Sequence, residues 1–433
     1  MKTKTNKLLA LLLCFSFLAV MLSGALSVGA SEFVFGEEDI LLEDSQNVAP
    51  LDTQELEGAI AYAQSKSPAS YSMDIWNALQ LKIEDAIYLL SDDFATQTDL
   101  DKMTLELTRL ADRILGSFKP YVGRISGNSR VDTSIQISNS WKNSTHTAVL
   151  ANGLSLVDAL SGGPLAHKLN APILLTLNGP DGLESSVIEQ FKYLKIDHVI
   201  LLGGEGSISA KIRRQIANLK DITVSAERVG GDNRYDTAVQ IAKKIDLLDI
   251  AEGNTDEPSY YFLADGVSSV DALCITPVAA KKNGRILLAT KNVLPEVTAT
   301  YLNEKQKDID LTIVGGAIGD SVLEQAVNYS CVQSFKRISG GSRYDTAINI
   351  YKEYELEFKS HILTLTNGAN YTDALAGGVL AAKLDAPMLL VHCINFYPDV
   401  TETIKSTAAK SIYVLGGKAN LPDRVVDIYI DAD

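Results

Sequence analysis

Three strings along one chain place arginines and an aspartate at fixed spacing: RISGNSRVDTSI from Arg124, RVGGDNRYDTAV from Arg228 and RISGGSRYDTAI from Arg337. Each string holds two arginines six residues apart, namely Arg124 and Arg130, Arg228 and Arg234, Arg337 and Arg343. A guanidinium is a planar fork of N–H donors that meets a carboxylate or phosphate with two parallel bonds, so these six are candidates for gripping an anionic polymer. The competing use is an ion pair to the neighbouring aspartate that fixes the turn. Asp132, Asp236 and Asp345 are placed to cap a following helix, and Gly127, Gly231 and Gly340 suit a turn with an unusual backbone angle.

A second acid recurs in a Gly-rich segment of each copy: Asp158 in ANGLSLVDALSGGPLA, Asp271 in ADGVSSVDALCITPVAA and Asp373 in TNGANYTDALAGGVLAA. These acids follow a strand and turn, at the carboxyl edge where α/β proteins place ligands. Catalysis or metal binding there calls for a companion acid or a histidine. Asn152 and Asn367 stand where the second copy has Asp265, and His146, His167, His198, His361 and His392 do not recur at equivalent positions. Helix capping is therefore the preferred reading of the three acids, and no catalytic residue, metal site or cofactor is expected. The glycine pairs beginning at Gly203, Gly315 and Gly416 lack the rest of a dinucleotide fingerprint or a P-loop and read as tight turns. GxSxG, HExxH and a cysteine with a positioned base are likewise not found.

Elements that position these residues follow from the repeat. The strings are 104 and then 109 residues apart, and the stretch from Asp158, Asp271 or Asp373 to the glycine pair spans 45, 44 and 43 residues. Copies of that length are small domains, larger than solenoid units. Each string opens a helix, expected over 133–141, 237–245 and 346–351, and strands are expected over 147–151, 260–264 and 362–365. Apolar runs beginning at Ile173, Ile286 and Met388 supply a second strand, and a third ends on the glycine pair. Short apolar strands alternating with helices predict a parallel sheet covered on both faces, hence an α/β Rossmann-like layer per copy. Upstream, apolar residues at helical spacing (Ile75, Ala78, Leu79, Ile83, Ala86, Leu90, then Leu100, Met103, Leu107, Leu110, Ile114) predict a bundle of about three helices over 51–118, the last capped near Thr98 and Asp99.

The N-terminus carries Lys2, Lys4 and Lys7 before an apolar run to Leu22, with Val28 and Ala30 set for cleavage after Ala30. The expected division is a leader over 1–30, a flexible acidic linker over 31–50, the helical bundle over 51–118, and repeats over 119–222, 223–332 and 333–433. No membrane span is expected after the leader. A formal charge of −15 argues against nucleic acid as a partner, while leaving room for a local basic groove. Three cysteines beyond the leader, Cys274, Cys331 and Cys393, are too sparse for a disulfide scaffold. With no LPxTG-type signal, retention on a cell is expected to be noncovalent.

The strings, the NGxxxxDALxGGPLA segments, the PILL-type strands and the closing glycine pairs, taken in order over residues 124 to about 430, resemble the type 2 cell-wall-binding repeat (CWB2) of clostridial and related Gram-positive surface proteins. The resemblance implies three Rossmann-like or Toprim-like modules in a pseudo-threefold arrangement that anchor an exported protein to an anionic secondary wall polymer, teichoic-acid-like or a phosphoglycan. It implies as polymer contacts the six arginines and the strand residues Ile173, Leu174 and Leu175, Ile286, Leu287 and Leu288, and Met388, Leu389 and Leu390. Residues 71–114 within the bundle over 51–118, including Tyr71, Trp76, Ala86, Ala95, Thr96, Gln97 and Leu107, resemble the FIVAR helical modules of such proteins, a spacer or adhesive unit for a surface protein or glycan. Val131 replaces the tyrosine of the string, Cys274, Ile275 and Thr276 interrupt the Gly-Gly pattern, and Gly284-Arg285 replaces Ala-Pro, so unequal binding by the three repeats is expected. The alternative reading is a wall-associated enzyme with Asp271 or Asp373 as catalyst.

Overall fold

The computed structural model describes residues 50–71, 73–112, 120–156, 159–254, 260–267, 270–306 and 308–431. The expected leader, the acidic linker up to residue 49 and the acid Asp158 lie outside the described residues. Among the described residues no helix is long and apolar enough to cross a membrane. Cys274 and Cys331 are buried, and the Cys331 thiol donates to Leu302 O at 3.3 Å.

Among the described residues the repeats contain twelve strands: β1 (Tyr121–Ile125), β2 (Thr147–Asn152), β3 (Ile173–Thr176), β4 (His198–Leu202), β5 (Ser225–Val229), β6 (Tyr260–Asp265), β7 (Arg285–Ala289), β8 (Ile309–Val314), β9 (Val332–Ile338), β10 (Ile362–Asn367), β11 (Met388–Val391) and β12 (Ser411–Leu415). They form three parallel four-stranded sheets, ordered β3-β2-β4-β5, β7-β6-β8-β9 and β1-β12-β10-β11. The expected α/β layers are present, with helices on the sheet faces. One strand per layer was not expected from the sequence. β1, β5 and β9 carry the first arginine of each string, and each pairs with the glycine-ended strand of another repeat: β5 with β4, β9 with β8, and β1 with β12. The boundaries at 222/223 and 332/333 therefore mark the sequence repeat, while the structural layer is offset from it by one strand. Each sheet receives its edge from the next repeat, and β1, pairing Tyr121 with Ser411 through Ile125 with Leu415, closes the cycle between first and last.

Strands in a sheet covered on both faces are apolar without alternation, and the ILL runs follow that rule. Ile173, Leu174, Leu175, Ile286, Leu287, Leu288, Met388, Leu389 and Leu390 are at most 3% exposed. Side chains with no free surface cannot touch a polymer, so these nine belong to the core and are not the contacts the family resemblance implied.

At the centre of the cycle, helices Gly162–Lys168, Thr276–Lys281 and Thr372–Lys383 meet. Gly163, Thr276 and Gly378 occupy equivalent positions. A Cβ built on Gly163 would lie 2.2 Å from Thr276 Cγ2, and one on Gly378 would lie 3.1 Å from the same side chain. The axis has room for one side chain, and Thr276 fills it. The preceding position shows a matched exchange. A Cβ on Gly162 or Gly377 would lie 2.4 or 2.3 Å from Leu202 or Leu415, and where the second repeat has Ile275 its strand ends on the smaller Val314. The other departure, Arg285 in place of proline, is a fully buried guanidinium bonded to Asp246 and Asp249. Burial opposes the Asp249 carboxylate, but Lys168, Arg285 and Asn283 outweigh it and hold its pKa below the ordinary value. The Lys168–Asp249 contact of 2.6 Å ties the first repeat to the second, Lys281 pairs with Asp385 of the third, and Lys383 reaches Asn170 Oδ1 of the first at 3.1 Å. Equivalent lysines thus link the repeats in one direction around the cycle.

Three helices, Gln54–Gln64, Met73–Leu89 and Gln97–Ala111, pack through Leu56, Leu79, Leu100 and Leu107. The last begins at a capping box of Thr96 and Asp99, so the cap is Thr96, two residues before the expected Thr98. Arg109, buried, fastens this unit to the third repeat by donating to the Tyr351 hydroxyl at 2.6 Å and to Glu355 at 3.0 Å.

Two outcomes test this architecture. Gly163→Ala should cost about 1–3 kcal/mol, the usual range for overpacking, and Thr276→Gly in the same chain should relieve most of it; strictly additive losses in denaturant unfolding would rule out contact at the axis. Deleting residues 120–126 should accelerate amide hydrogen exchange in β12 of the third repeat while β2 and β4 of the first stay protected.

Candidate functional site

The helix of each string starts earlier than expected, at Arg130, Arg234 and Arg343, because its cap is the residue before the arginine. Ser129, Asn233 and Ser342 accept the backbone N–H of Asp132, Asp236 and Asp345, which therefore sit in the first helical turn, three residues past the cap. The string's threonine closes the loop: Thr133, Thr237 and Thr346 hydroxyls each accept from the N–H of Gly127, Gly231 and Gly340 at 3.1 Å. None of these three glycines has a positive φ. They are glycine for lack of space, since a Cβ would come within 2.1–2.3 Å of the aspartate side chain.

The two arginines of a string have different tasks. The first bonds the glycine-pair turn of the sheet that its strand joins. Arg124 donates to Gly416 O at 2.7 Å and pairs with Asp423 at 2.7 Å, and Arg228 donates to Gly203 O, Gly204 O and Ile208 O at 2.6–2.9 Å. Arg337 donates to Ile318 O at 2.7 Å and pairs with Asp320 at 3.2 Å. These guanidinium groups face backbone carbonyls of their own chain, so Arg124, Arg228 and Arg337 are joints between repeats. The glycines they clamp, Gly203, Gly315 and Gly416, have φ of +93°, +90° and +109°, so the tight turns expected there are made in the left-handed region.

The second arginine holds a loop. Arg130, Arg234 and Arg343 each donate one Nη1–H, to Gly153 O, Gly266 O and Gly368 O at 2.6, 2.6 and 2.8 Å. The N–H of each of those glycines continues the sheet ladder, to Thr176 O, Ala289 O and Val391 O. Asn152 and Asn367 complete the loop by accepting from the N–H groups of Leu154 and Ala369. The loops of all three repeats meet at one depression of about 380 Å³. Leu154 and Ser155 line it from the first repeat, Val267 from the second, and Asn370 and Tyr371 from the third, with Arg130 in its wall. Of the six candidate arginines, these three hold the loops that follow β2, β6 and β10, and Arg130 lines the depression itself.

The acids lie one shell deeper. Asp373 is inside its helix, whose start has no side-chain cap, so it is not the helix cap expected; Asp271 is likewise within a helix, Val270–Cys274. Their carboxylates pack beneath the glycine turns: a Cβ on Gly315 would lie 2.2 Å from Asp271 Oδ2, and one on Gly416 would lie 2.4 Å from Asp373 Oδ2. Burial pushes the pKa of Asp271 up to about 6, partly opposed by Arg343 and assisted by Asp265, and burial raises that of Asp373 as well. Among the described residues Asp271 Oδ1 has no hydrogen-bond partner. An acid held more easily protonated in the folded chain stabilises it at low pH and ceases to do so as pH rises through about 6. Asp271→Asn should accordingly raise stability at pH 7 by about 3 kcal/mol, with the gain shrinking toward zero near pH 4. Thermal unfolding across that range checks it, and an equal loss at both pH values would refute the burial argument.

The family model for cell wall binding domain 2 (CWB2) matches residues 124–213, 228–323 and 337–426. Similar curated proteins of Bacillus subtilis are the N-acetylmuramoyl-L-alanine amidase LytC, 31% identical over 306 residues, and the amidase enhancer, 34% identical over 322 residues. These matches cover 71% and 74% of this chain but 57% and 41% of the relatives, so the chain spans about half the length of the curated proteins it matches. Among solved structures, Cwp6 from Clostridium difficile is similar with a TM-score of 0.62 at 27% identity, covering 72% of this chain and 47% of that one. Cwp8 from the same organism shares the fold with a TM-score of 0.62 at 22% identity, covering 78% and 56%. Three family matches, each opening on the first arginine of a string and each ending in the layer that the next string completes, show that this chain belongs to the cell wall binding domain 2 family.

Proposed function

We propose that the chain is an exported cell-surface protein whose three repeats hold it noncovalently to an anionic polymer of the wall, with the helical unit as a spacer or adhesive module for a surface protein or glycan. The observation that carries the reading is the meeting of three arginine-held loops at one depression. Linked contacts on one repeating polymer raise avidity by roughly 10²- to 10⁴-fold through effective concentration, which gives the threefold copy number a purpose. A single exposed charge pair contributes at most about 1 kcal/mol, too little to anchor a protein alone.

The binding role is proposed without catalysis. A relative named as an amidase and the raised pKa of Asp271 favour the enzymatic alternative, but Asp271 and Asp373 are accounted for by their packing beneath Gly315 and Gly416. Asn420, which donates to Asp373 Oδ2, also bonds Asn367 and Asn370, which is a scaffold role.

The triple variant Ser155→Glu, Val267→Glu, Asn370→Glu places negative charge on exposed loop positions from all three repeats. Its sedimentation with purified wall polymer should fall at least about ten-fold while its unfolding midpoint is kept, and raising salt toward 0.5 M should weaken the unmodified protein in the same assay, as ~0.5 M shortens the screening length to a few ångströms. Undiminished binding by the variant would remove the depression from the polymer site.

A further inference from the structure

The whole chain is acidic, yet one cleft is locally basic. Where the helical unit meets the third repeat, a cavity of about 410 Å³ is lined by Lys82, Lys102, Glu106, Arg109, Lys352 and Glu355, together with the Tyr351 ring. Two of its cations are neutralised: Lys82 pairs with Glu106 at 2.9 Å, and Arg109 with Glu355 at 3.0 Å. That leaves Lys102 and Lys352, both exposed, of which Lys352 also borders a neighbouring depression lined by Asp345, Asp399 and Glu402. Burial raises the pKa of Glu355, and Arg109 and Lys102 act against that rise, which places the Lys102 charge within electrostatic reach of the cleft floor. Arg109 is only 9% exposed, lies 5.6 Å from the Tyr351 ring centre, and donates to that residue's hydroxyl. The floor is thus held by the Arg109 bonds, while Lys102 and Lys352 face solvent.

Cations around a low-dielectric cleft focus the field and concentrate anions there. Flexible lysines act as point charges, a common way of holding phosphate without a fixed fork geometry. Interdomain clefts are also a usual location for ligand sites. Four of the six charged lining residues precede residue 124, where the family match begins, so this cleft is a property of how this chain joins its helices to the repeats. We propose that the cleft binds a phosphate group of an extended polyanion through Lys102 and Lys352, with Arg109 as the positioning residue that holds the helical unit and the third repeat at the required separation.

The inference does not require the axial depression to bind the same ligand. The test uses the full chain and a linear polyphosphate as probe, titrated calorimetrically at low salt, with polygalacturonate as a carboxylate comparison. Lys102→Glu with Lys352→Glu should weaken polyphosphate binding at least about ten-fold at an unchanged unfolding midpoint, because both side chains are exposed. Unchanged polyphosphate affinity in that double variant, or equal affinity of the unmodified protein for polygalacturonate, would overturn the proposal. The loop variant Ser155→Glu, Val267→Glu, Asn370→Glu separates the two sites: polyphosphate binding that survives it but fails in the lysine variant supports the cleft, and the reverse pattern overturns the cleft while leaving the loops as the polymer site.

Discussion

Each layer of this protein is incomplete without a strand from the next repeat, and the join is a guanidinium set against a glycine turn. A parallel strand with an open edge leaves a row of backbone donors and acceptors unpaired. β5, β9 and β1 cover those edges, and Arg228, Arg337 and Arg124 fix the ends by donating to the carbonyls of the turns where β4, β8 and β12 finish. The left-handed glycines there allow the carbonyls to be presented to the incoming arginine, and the buried Asp271 and Asp373 occupy the space that any Cβ would claim. Loops at the central depression inherit their positions from these joints, because the second arginine lies only six residues beyond the first.

Near-symmetry at the axis is maintained by being broken. Three identical threonines would collide, whereas three glycines would leave a void, and the chain resolves the conflict with one threonine between two glycines. The second repeat carries the asymmetry throughout: Ile275 against the shortened Val314, and Arg285 with its buried acids instead of proline. Taking charges out of water is costly unless they are fully paired, and Arg285, Asp246, Asp249, Lys168 and Lys305 answer that cost as a connected set. The departures that made the second repeat look like a weakened copy are the features that let three copies share one centre.

Much of the architecture was legible in the sequence because it rests on local rules. Apolar runs such as ILLT and MLLV announced buried parallel strands, and the spacing around Leu79 and Leu107 announced the bundle. Two things were not legible. YVGRI and SAERV are too short and too mixed to announce strands, and their partners lie in other repeats, so β1 and β5 were hidden by tertiary pairing. The six arginines looked alike in the string, but the acceptor type common to all six is the backbone carbonyl, which carries no residue-type signal. Only the structure divides them into three joints and three loop holders. Arg109 escaped notice for a similar reason, since Tyr351 and Glu355 are more than two hundred positions away.

The pairing of β1 with β12 has a further consequence in time as well as space. Tyr121 waits for Ser411, so during synthesis β1 stays without its partner until the third repeat has emerged. Contacts of such long sequence separation are slow to form and bring the layers together as a unit. A solenoid can gain or lose a repeat and still stack, whereas in this closed cycle the loss of any one repeat would leave another repeat's sheet without its edge strand.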